Sequence, residues 1–269
     1  MKILSLFDGK SSGFTACELA GIDVSAYYSA EIDKYAIQVS DAIHPNQTRL
    51  GDVTKWREWD LDWSSINLIL AGSPCQGFSF AGKQLAFDDP RSKLFFVFVD
   101  ILNHARSVNP DLRFMLENVK MKKEHKAVIT DALGVEPMEI NSALVSAQNR
   151  QRLYWFNWDV EQPADRGVVL ADVIEAGVVD QDKSYCIDAN YFKGGNLKSY
   201  FEKHRRQLVF IGESHRKLTP RECFRLQTVP EHYIDKILAC GVSNTRLYKV
   251  AGNGWTDEVI AHILRGLKK

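Results

Sequence analysis

The sequence is poor in cysteine, and its cysteines are far apart. Five occur in 269 residues, and no C-x-x-C pair is present; they are Cys17, Cys75, Cys186, Cys223 and Cys240. The odd number and wide spacing exclude a disulfide framework and a zinc knuckle, and they favour a reducing compartment. No apolar stretch is long enough to cross a bilayer, and the apolar start of the chain is too short for a signal peptide. We therefore expect a cytoplasmic monomer without a metal or a membrane contact.

The chain also lacks a net charge, although its charges are unevenly distributed. Thirty-four basic residues balance 34 acidic ones, but Lys193–Arg225 holds nine basic residues against three acidic residues. A local excess of six positive charges is what contact with phosphates needs. A solvated surface explains the same excess equally well.

Apolar runs and amphipathic segments alternate in the first half of the chain, which predicts strands and helices in turn. The predicted strands are 3–7, 25–30, 66–71 and 112–116, and the predicted helices are 13–20, 34–43 and 94–105. This alternation predicts an α/β fold with a parallel, doubly wound sheet. Ligands bind at the carboxyl ends of such strands, where the polar residues Asp8, Glu31, Cys75 and Glu117 lie.

The periodicity is lost between residues 161 and 214, where glycines, aromatic residues and charges are mixed. We interpret 161–214 as a small recognition region and 1–160 plus 215–269 as one catalytic domain. Thr219 followed by Pro220 predicts the start of a helix, and a last helix is expected over 257–267.

The turn after the first predicted strand is typical of a site where backbone N–H groups approach a ligand. Gly9 and Gly13 bracket it, but G-x-G-x-x-G is missing, which argues against an ordinary dinucleotide site. Glu31 stands where a carboxylate accepts hydrogen bonds from ribose hydroxyls, and Asp52 is placed to meet an adenine amino group. Together these residues indicate a nucleoside cofactor.

Four short motifs indicate the chemistry. Pro74-Cys75-Gln76 puts a cysteine in a glycine-rich loop after a strand, and Glu117-Asn118-Val119 ends a neighbouring strand. In Gln148-Asn149-Arg150-Gln151-Arg152, the alternate side chains share one face of an extended segment. Gly252-Asn253-Gly254-Trp255 precedes the last helix.

In this order, the motifs resemble those of the cytosine-5 DNA methyltransferases, and most of all the short enzymes of phages and prophages. The resemblance covers nearly the whole chain. It implies a Rossmann-like class I methyltransferase fold and an enzyme that uses S-adenosylmethionine to make 5-methylcytosine in double-stranded DNA. It also implies a role in DNA modification or in a restriction-modification system, in a bacterial or phage-infected cell.

The resemblance assigns the catalytic roles. Cys75 attacks C6 of a flipped-out cytosine, which makes C5 nucleophilic, and Glu117 binds N3 and the exocyclic amine in its protonated form. Arg150 is placed at the cytosine O2, and Arg152 near the thiolate or a phosphate.

The resemblance also assigns residues to the cofactor and to DNA. Phe7 lies against the adenine and Leu94 packs on its edge. The other expected cofactor contacts are Gly9, Lys10, Ser12, Gly13, Glu31, Asp52, Asn253 and Trp255. The loop 76–83, with Gln76 and Ser79, is expected to close over the minor groove. The basic region, with Lys193, Arg206 and Arg216, is expected to face the major groove, where Asn190 and Asn196 are further candidate base readers.

Lys10 departs from the family pattern, because relatives generally carry an apolar residue at this position. Its side chain could extend to water along its apolar stem. It could instead pair with the methionine carboxylate or a DNA phosphate. A third hypothesis is that it binds the extra carboxylate of carboxy-S-adenosylmethionine, so that the product is 5-carboxymethylcytosine.

Two other functions compete with DNA methylation. A tRNA cytosine-5 methyltransferase would share Cys75 and Glu117, but no additional RNA-binding segment is evident. An inactive DNA-binding protein with the same fold would not be expected to keep Cys75, Glu117 and Arg150.

Overall fold

The computed structural model describes residues 1–74 and 93–268. Its main sheet has seven strands in the order β3-β2-β1-β4-β5-β7-β6. They are β1 (Lys2–Leu6), β2 (Ala26–Ala30), β3 (Thr48–Arg49), β4 (Leu68–Ala71), β5 (Arg113–Val119), β6 (Met138–Asn141) and β7 (Gln151–Phe156). The pairs among β1 to β5 are parallel, whereas β7 is antiparallel to both of its neighbours. The predicted doubly wound α/β sheet is confirmed.

The helices of the described residues are α1 (Ser12–Ala20), α2 (Lys34–Ile43), α3 (Lys93–Val108), α4 (Lys123–Leu133), α5 (Leu197–Lys203), α6 (Pro220–Leu226), α7 (Glu231–Ala239), α8 (Asn244–Asn253) and α9 (Asp257–Arg265). A separate hairpin pairs β8 (Leu208–Ile211) with β9 (Ser214–Lys217). The end of β5 differs from its prediction. The sequence predicts that this strand ends before Glu117, but it continues to Val119 because pairing with β7 extends it.

Two layers of helices cover the sheet. Along β1, Ile3 packs with α1 and α9, whereas Leu4 and Leu6 pack with α3 and α4 on the opposite face. Alternate residues of a strand point to opposite faces, so a strand covered on both sides reads as a continuous apolar run. The continuous apolar runs of β1 and β4 arise because helices cover both faces of these strands.

A third apolar cluster joins the recognition region to the C-terminal helices. Leu170, Ile187 and Val209 pack in the same cluster as Phe224 of α6 and Leu247 of α8. The recognition region therefore shares an apolar core with the C-terminal helices. The predicted domain boundaries at 160 and 215 stay a prediction.

The start of α6 follows the sequence signal. Thr219 caps the helix with its hydroxyl on the Glu222 N–H, and the Glu222 carboxylate returns a hydrogen bond to the Thr219 N–H. Pro220 occupies the first helical position, where a missing N–H costs nothing. The predicted start is confirmed.

Among the described residues, no helix is long and apolar enough to span a bilayer. Residues 1–74 and 93–268 also contain no group of three or more side chains that could bind a metal ion together.

His44 makes the stability of the fold depend on pH. Its ring stacks on Phe14 at 4.3 Å, and its Nε2 lies 2.9 Å from the Thr15 hydroxyl. Burial, helped by the charge of Lys10, lowers its pKa to about 3. The unfolded chain takes up a proton below its own pKa of about 6.5 and the folded chain does not, so stability falls as the pH drops through this range.

Between pH 7 and pH 5 we expect His44 alone to cost the fold about 2 kcal/mol. Urea unfolding of wild type and His44→Gln at both pH values measures the difference between the two proteins. The slope against pH should be smaller in the variant. An unchanged slope would show that folding does not lower the pKa of His44.

Candidate functional site

A cavity of about 270 Å³ opens at the carboxyl ends of the central parallel strands. Loops after β1, β2 and β4 form one wall, and the end of β5, the start of β7 and the end of α8 form the other. The residues that line it are Phe7, Gly9, Glu31, Asp33, Ala36, Gly72, Ser73, Pro74, Glu117, Asn118, Val119, Arg150, Arg152, Lys249, Val250, Gly252, Asn253 and Gly254. The structure thus brings together seven of the residues predicted for the site: Phe7, Gly9, Glu31, Glu117, Arg150, Arg152 and Asn253.

The loop after β1 presents its backbone to the cavity. Phe7, Gly9 and Ser11 all have positive φ, near 60°, which folds the chain tightly between β1 and α1. The Gly9 N–H donates to Glu31 Oε2 at 2.8 Å. Glu31 Oε1 accepts from the N–H groups of Ile32 and Asp33 at 2.8 and 2.7 Å. Glu31 is therefore held rigidly at the end of β2 and ties the two loops together.

Lys10 lies behind this loop, and only 1% of it is exposed. Its ammonium group is 2.7 and 2.8 Å from the two carboxylate oxygens of Asp257, the first residue of α9. The interpretation that Lys10 extends to water is wrong, because the side chain turns inward to a buried partner. Burial raises the pKa of Asp257, against the opposing charge of Lys10. Lys10 does not line the cavity.

Ser12 and Gly13 are also buried and do not line the cavity. A Cβ atom at Gly13 would lie 2.6 Å from Leu70 Cδ1 and 2.7 Å from the Tyr27 hydroxyl. Gly13 therefore lets α1 pack closely on β2 and β4. That packing role explains the glycine, and its predicted contact with the methionine end of a cofactor stays a prediction.

Glu117 is fixed by donors on both of its oxygens. Arg152 Nε lies 3.1 Å from Oε1, and Trp255 Nε1 donates to Oε2 at 3.0 Å. The two side chains of the ion pair keep 15% and 12% of their surface exposed, so they remain accessible from the cavity. Trp255 does not line the cavity itself. It orients the carboxyl group from behind.

Arg150 is buried and makes most of its contacts with main-chain carbonyls. Its guanidinium donates to the carbonyl oxygens of Ile187 at 2.9 Å, Gly254 at 2.8 Å and Gly252 at 3.3 Å. A Cβ at Gly252 would lie 2.2 Å from the Asp188 carbonyl carbon, so only glycine permits this approach. Arg150 thus fastens the recognition region to the turn before α9. Arg150 also lines the cavity, and its predicted contact with a cytosine O2 stays a prediction.

Cys186 lies beside the two arginines. Its Sγ is 3.4 Å from Arg150 Nη1 and 3.9 Å from Arg152 Nη2. Burial raises the pKa of the thiol, but the two arginine charges outweigh burial, and the net pKa is lower than usual. The two arginines therefore favour the thiolate form of Cys186 more than solvent would.

Two further predicted cofactor residues do not line the cavity, and three predicted residues lie outside the described part. Asp52 caps the turn Val53–Glu58 through Oδ1, and Leu94 packs half-buried at the start of α3. Neither lines the cavity. Cys75, Gln76 and Ser79 lie outside the described residues. Pro74, which directly precedes Cys75, lines the cavity.

The sequence interpretation missed three residues near the cavity. Asp33 caps α2 and pairs with Lys249 at 2.6 Å, and both line the wall beside Glu31. Ile32 lies between Glu31 and Asp33 with 74% of its surface exposed. The spacing after Glu31 could have identified Asp33 and Ile32. The contact with Lys249 could not have been found, because 216 residues separate it from Asp33.

The structure divides the basic region into two parts. Arg216 pairs with the buried Glu222 at 2.7 Å and donates to the Ala176 carbonyl. Arg221 and Arg225 pair with the carboxylates of α7. The prediction that Arg216 faces DNA does not fit this internal contact. Lys193 is exposed, whereas Arg206 is partly buried and donates to the Lys193 carbonyl. Asn190 and Asn196 are exposed, and Asn196 caps α5.

Solved structures of other proteins share this fold. A methyltransferase of Entamoeba histolytica, EhMeth, aligns with a TM-score of 0.76 over 99% of this chain and 97% of its own, at 13% identity. A DNMT2 variant of Spodoptera frugiperda aligns with a TM-score of 0.70 over 100% of this chain and 99% of its own, at 21% identity. At these identities the likeness establishes the fold alone, which is the Rossmann-like methyltransferase fold.

Sequence comparison gives the family. The profile of the C-5 cytosine-specific DNA methylases matches residues 1–164 and 173–269, and the chain belongs to this family. It is 30% identical to the type II methyltransferase M.NlaX of Neisseria lactamica, over 99% of this chain and 96% of that protein. It is also 30% identical to the type II methyltransferase M1.ScrFI of Lactococcus lactis subsp. cremoris, over 94% of this chain and 74% of that protein. The chain is a DNA cytosine-5 methyltransferase, and membership of the family implies the use of S-adenosylmethionine.

Proposed function

We propose that this enzyme flips a cytosine of duplex DNA into the cavity and methylates its C5 through an adduct with Cys75. One observation carries the proposal most strongly: Glu117 and Arg152 face the same cavity as Pro74, Gly9 and Glu31. Glu117 and Arg152, which would bind the cytosine, thus lie in the same cavity as Glu31, which would bind the ribose of the cofactor. Pro74 brings the chain to this wall directly before Cys75.

The residues around Glu31 fit S-adenosylmethionine. The Glu31 carboxylate uses three of about four acceptor sites on backbone N–H groups, which leaves capacity for a ribose hydroxyl. Phe7 lines the cavity from the end of β1, and Ile32 extends from the end of β2 with an exposed apolar side chain for an adenine face. When bound, the cofactor supplies an electrophilic methyl group on a sulfonium.

Cys75 serves as the nucleophile because C5 of cytosine is too weak a nucleophile to take a methyl group directly. Its thiolate bonds to C6, and the electron pair of the C5–C6 double bond moves so that C5 becomes nucleophilic. After the methyl group is attached, loss of the C5 proton and of Cys75 restores the ring and gives 5-methylcytosine. Flipping the base costs a few kcal/mol, which contacts between protein and DNA must offset.

Glu117 and Arg152 hold the base during this step. Glu117, oriented by Trp255, contacts N3 and the exocyclic amine, and so draws electrons from C6. We assign the contact with O2 to Arg152, since its guanidinium already lies 3.1 Å from Glu117 at the cavity wall. Arg150 is instead assigned to positioning, because its donors are bound to main-chain carbonyls.

The group transferred is proposed to be a plain methyl group. The alternative, carboxy-S-adenosylmethionine, depended on a lysine that needed an anionic partner near the cofactor. Asp257 supplies that partner from within the chain, and Lys10 does not line the cavity. The ion pair with Asp257 thus explains the presence of Lys10 without a carboxylated cofactor.

The test offers both cofactors and both nucleic acids. Purified enzyme is incubated with equal amounts of the two cofactors and with either plasmid DNA or tRNA, and the digested nucleosides are identified by mass spectrometry. We expect 5-methylcytosine in DNA and no modified cytosine in tRNA. Modification of tRNA alone would identify an RNA enzyme, and 5-carboxymethylcytosine would show that the cofactor assignment is wrong.

A further inference from the structure

The most unusual surface outside the cavity is the exposed side of α5 and the turn that follows it. Leu197 and Phe201, one helical turn apart, keep 42% and 56% of their surfaces exposed. The neighbouring Tyr200 is buried, where it packs against Phe210 of β8, and its ring centre lies 5.1 Å from that of Phe201. An apolar pair turned to solvent in a helix that already has a buried side indicates a contact with another molecule.

Free positive charge surrounds this apolar pair. Residues 193–206 hold five basic residues against one acidic residue, Glu202. Within residues 1–74 and 93–268, no carboxylate lies within 4 Å of the charged groups of Lys198, Lys203 or Arg205. The arginines of α6 are neutralised by ion pairs, so the free charge of the basic region is concentrated around α5. Unpaired cations beside exposed apolar groups are complementary to a polyanion.

The turn after α5 holds Arg205 outward. His204 and Arg206 both have positive φ, 47° and 63°, which is a costly conformation for residues other than glycine. Because Arg206 is tied to the Lys193 carbonyl, the turn is anchored on one side. Arg205 remains exposed between these two residues.

A short series of contacts connects this surface to the cavity. Cys186 touches Arg152, and the neighbouring Tyr185 packs against Tyr200 with ring centres 5.7 Å apart. The Tyr185 hydroxyl also lies 3.5 Å from His204 Nδ1. Four residues, Arg152, Cys186, Tyr185 and Tyr200, thus connect the cavity wall to α5.

We propose that the exposed side of α5 and the turn 204–206 form the surface that contacts duplex DNA beside the target base. Lys198 and Lys203 neutralise phosphates, while Phe201 and Arg205 contact base edges, since an apolar group meets the thymine methyl and arginine meets guanine. This inference rests on the proposed function, and it replaces Arg216 as the main basic contact.

The salt dependence of DNA binding tests the charged part of the surface. Lys198→Ala/Lys203→Ala/Arg205→Ala is compared with a variant of equal charge change outside the recognition region, Lys55→Ala/Arg57→Ala/Lys236→Ala. Binding of a labelled duplex, containing a site that wild type methylates, is measured between 50 and 300 mM salt. Each lost phosphate contact should reduce the slope of log Kd against log salt by about 0.9. We therefore expect a reduction of about two for the α5 variant, which loses the phosphate contacts of Lys198 and Lys203, and none for the control.

Phe201→Ala tests the apolar part, with Val128→Ala as a control for the loss of an exposed apolar residue on α4. We expect methylation at the cognate site to fall about tenfold for Phe201→Ala, which corresponds to one lost base contact. Thermal unfolding and the KM for S-adenosylmethionine should stay at wild-type values in all four variants.

The outcomes separate this inference from the function on which it rests. If wild type forms 5-methylcytosine while the α5 variants keep its salt slope and rate, the surface does not contact DNA and the inference is wrong. If Phe201→Ala instead changes self-association in sedimentation, the patch is a contact between protein molecules and the inference is again wrong. If wild type modifies no duplex DNA, the proposed function itself fails.

Discussion

Lys10→Met is expected to lower the free energy of unfolding by about 3–5 kcal/mol, because it leaves the Asp257 carboxylate buried without its partner. Asp257→Val should cost a similar amount, since it leaves the Lys10 ammonium unpaired. Both side chains of the pair are fully buried, so solvent cannot replace the lost contact. Chemical unfolding in guanidinium chloride measures both variants.

The double variant Lys10→Met/Asp257→Val separates the ion pair from the packing of the same atoms. Replacing both charges by apolar groups of similar size is often neutral or stabilising, so most of the loss should be recovered. The pair also joins the Gly9 loop to the turn at Gly254, since Lys10 Cε lies 3.2 Å from the position of a Cβ at Gly254. We therefore expect the single variants to raise the KM for S-adenosylmethionine and the double variant to restore it. Purely additive losses in stability would show that the two charges do not interact.

Arg152→Ala is expected to lower kcat on duplex DNA by about 10²–10³, the usual cost of removing one donor from a catalytic site. Arg152 faces the cavity, where it lies 3.1 Å from Glu117, and it is assigned to the cytosine O2. Its loss should destabilise the fold less than the loss of Arg150, since Trp255 still donates to the Glu117 carboxylate and Arg152 donates to the main-chain carbonyl of the residue just before it.

Arg150→Ala is the matched comparison, and it should show the opposite pattern. Three main-chain carbonyls lose their donor, so the unfolding free energy should fall by several kcal/mol and the recognition region should become sensitive to proteases. Single-turnover rates and urea unfolding of both variants test the assignment. A large kcat loss in folded Arg150→Ala, with an unaffected Arg152→Ala, would reverse the two roles.

The sequence predicts much of this fold because the central strands are covered on both sides. Continuous apolar runs mark β1 and β4, and the capping pattern at Thr219 marks α6. The polar residues that follow these strands, such as Gly9 and Glu31, then lie together at one edge of the sheet. This part of the site follows from the order of the strands alone.

The contacts between distant parts of the chain could not be predicted in the same way. Lys10 is separated from Asp257 by 247 residues, and nothing in the sequence near Lys10 indicates a partner in α9. Likewise, alternation along 148–152 puts Arg150 and Arg152 on one face, but only folding shows that the carbonyls of Ile187 and Gly254 bind Arg150. Local charge also failed to distinguish Arg216, which is paired internally, from Arg205, which is exposed.

The proposed mechanism depends on a covalent bond between Cys75 and cytosine C6. Duplex DNA that carries 5-fluorocytosine tests it most directly, because fluorine at C5 cannot leave as a proton does and the adduct is trapped. With S-adenosylmethionine present, we expect a complex of wild type and DNA that resists denaturation, with Cys75 as the attached residue, and no complex for Cys75→Ala. A stable complex with Cys75→Ala, or none with wild type that binds and methylates the unsubstituted duplex, would contradict it.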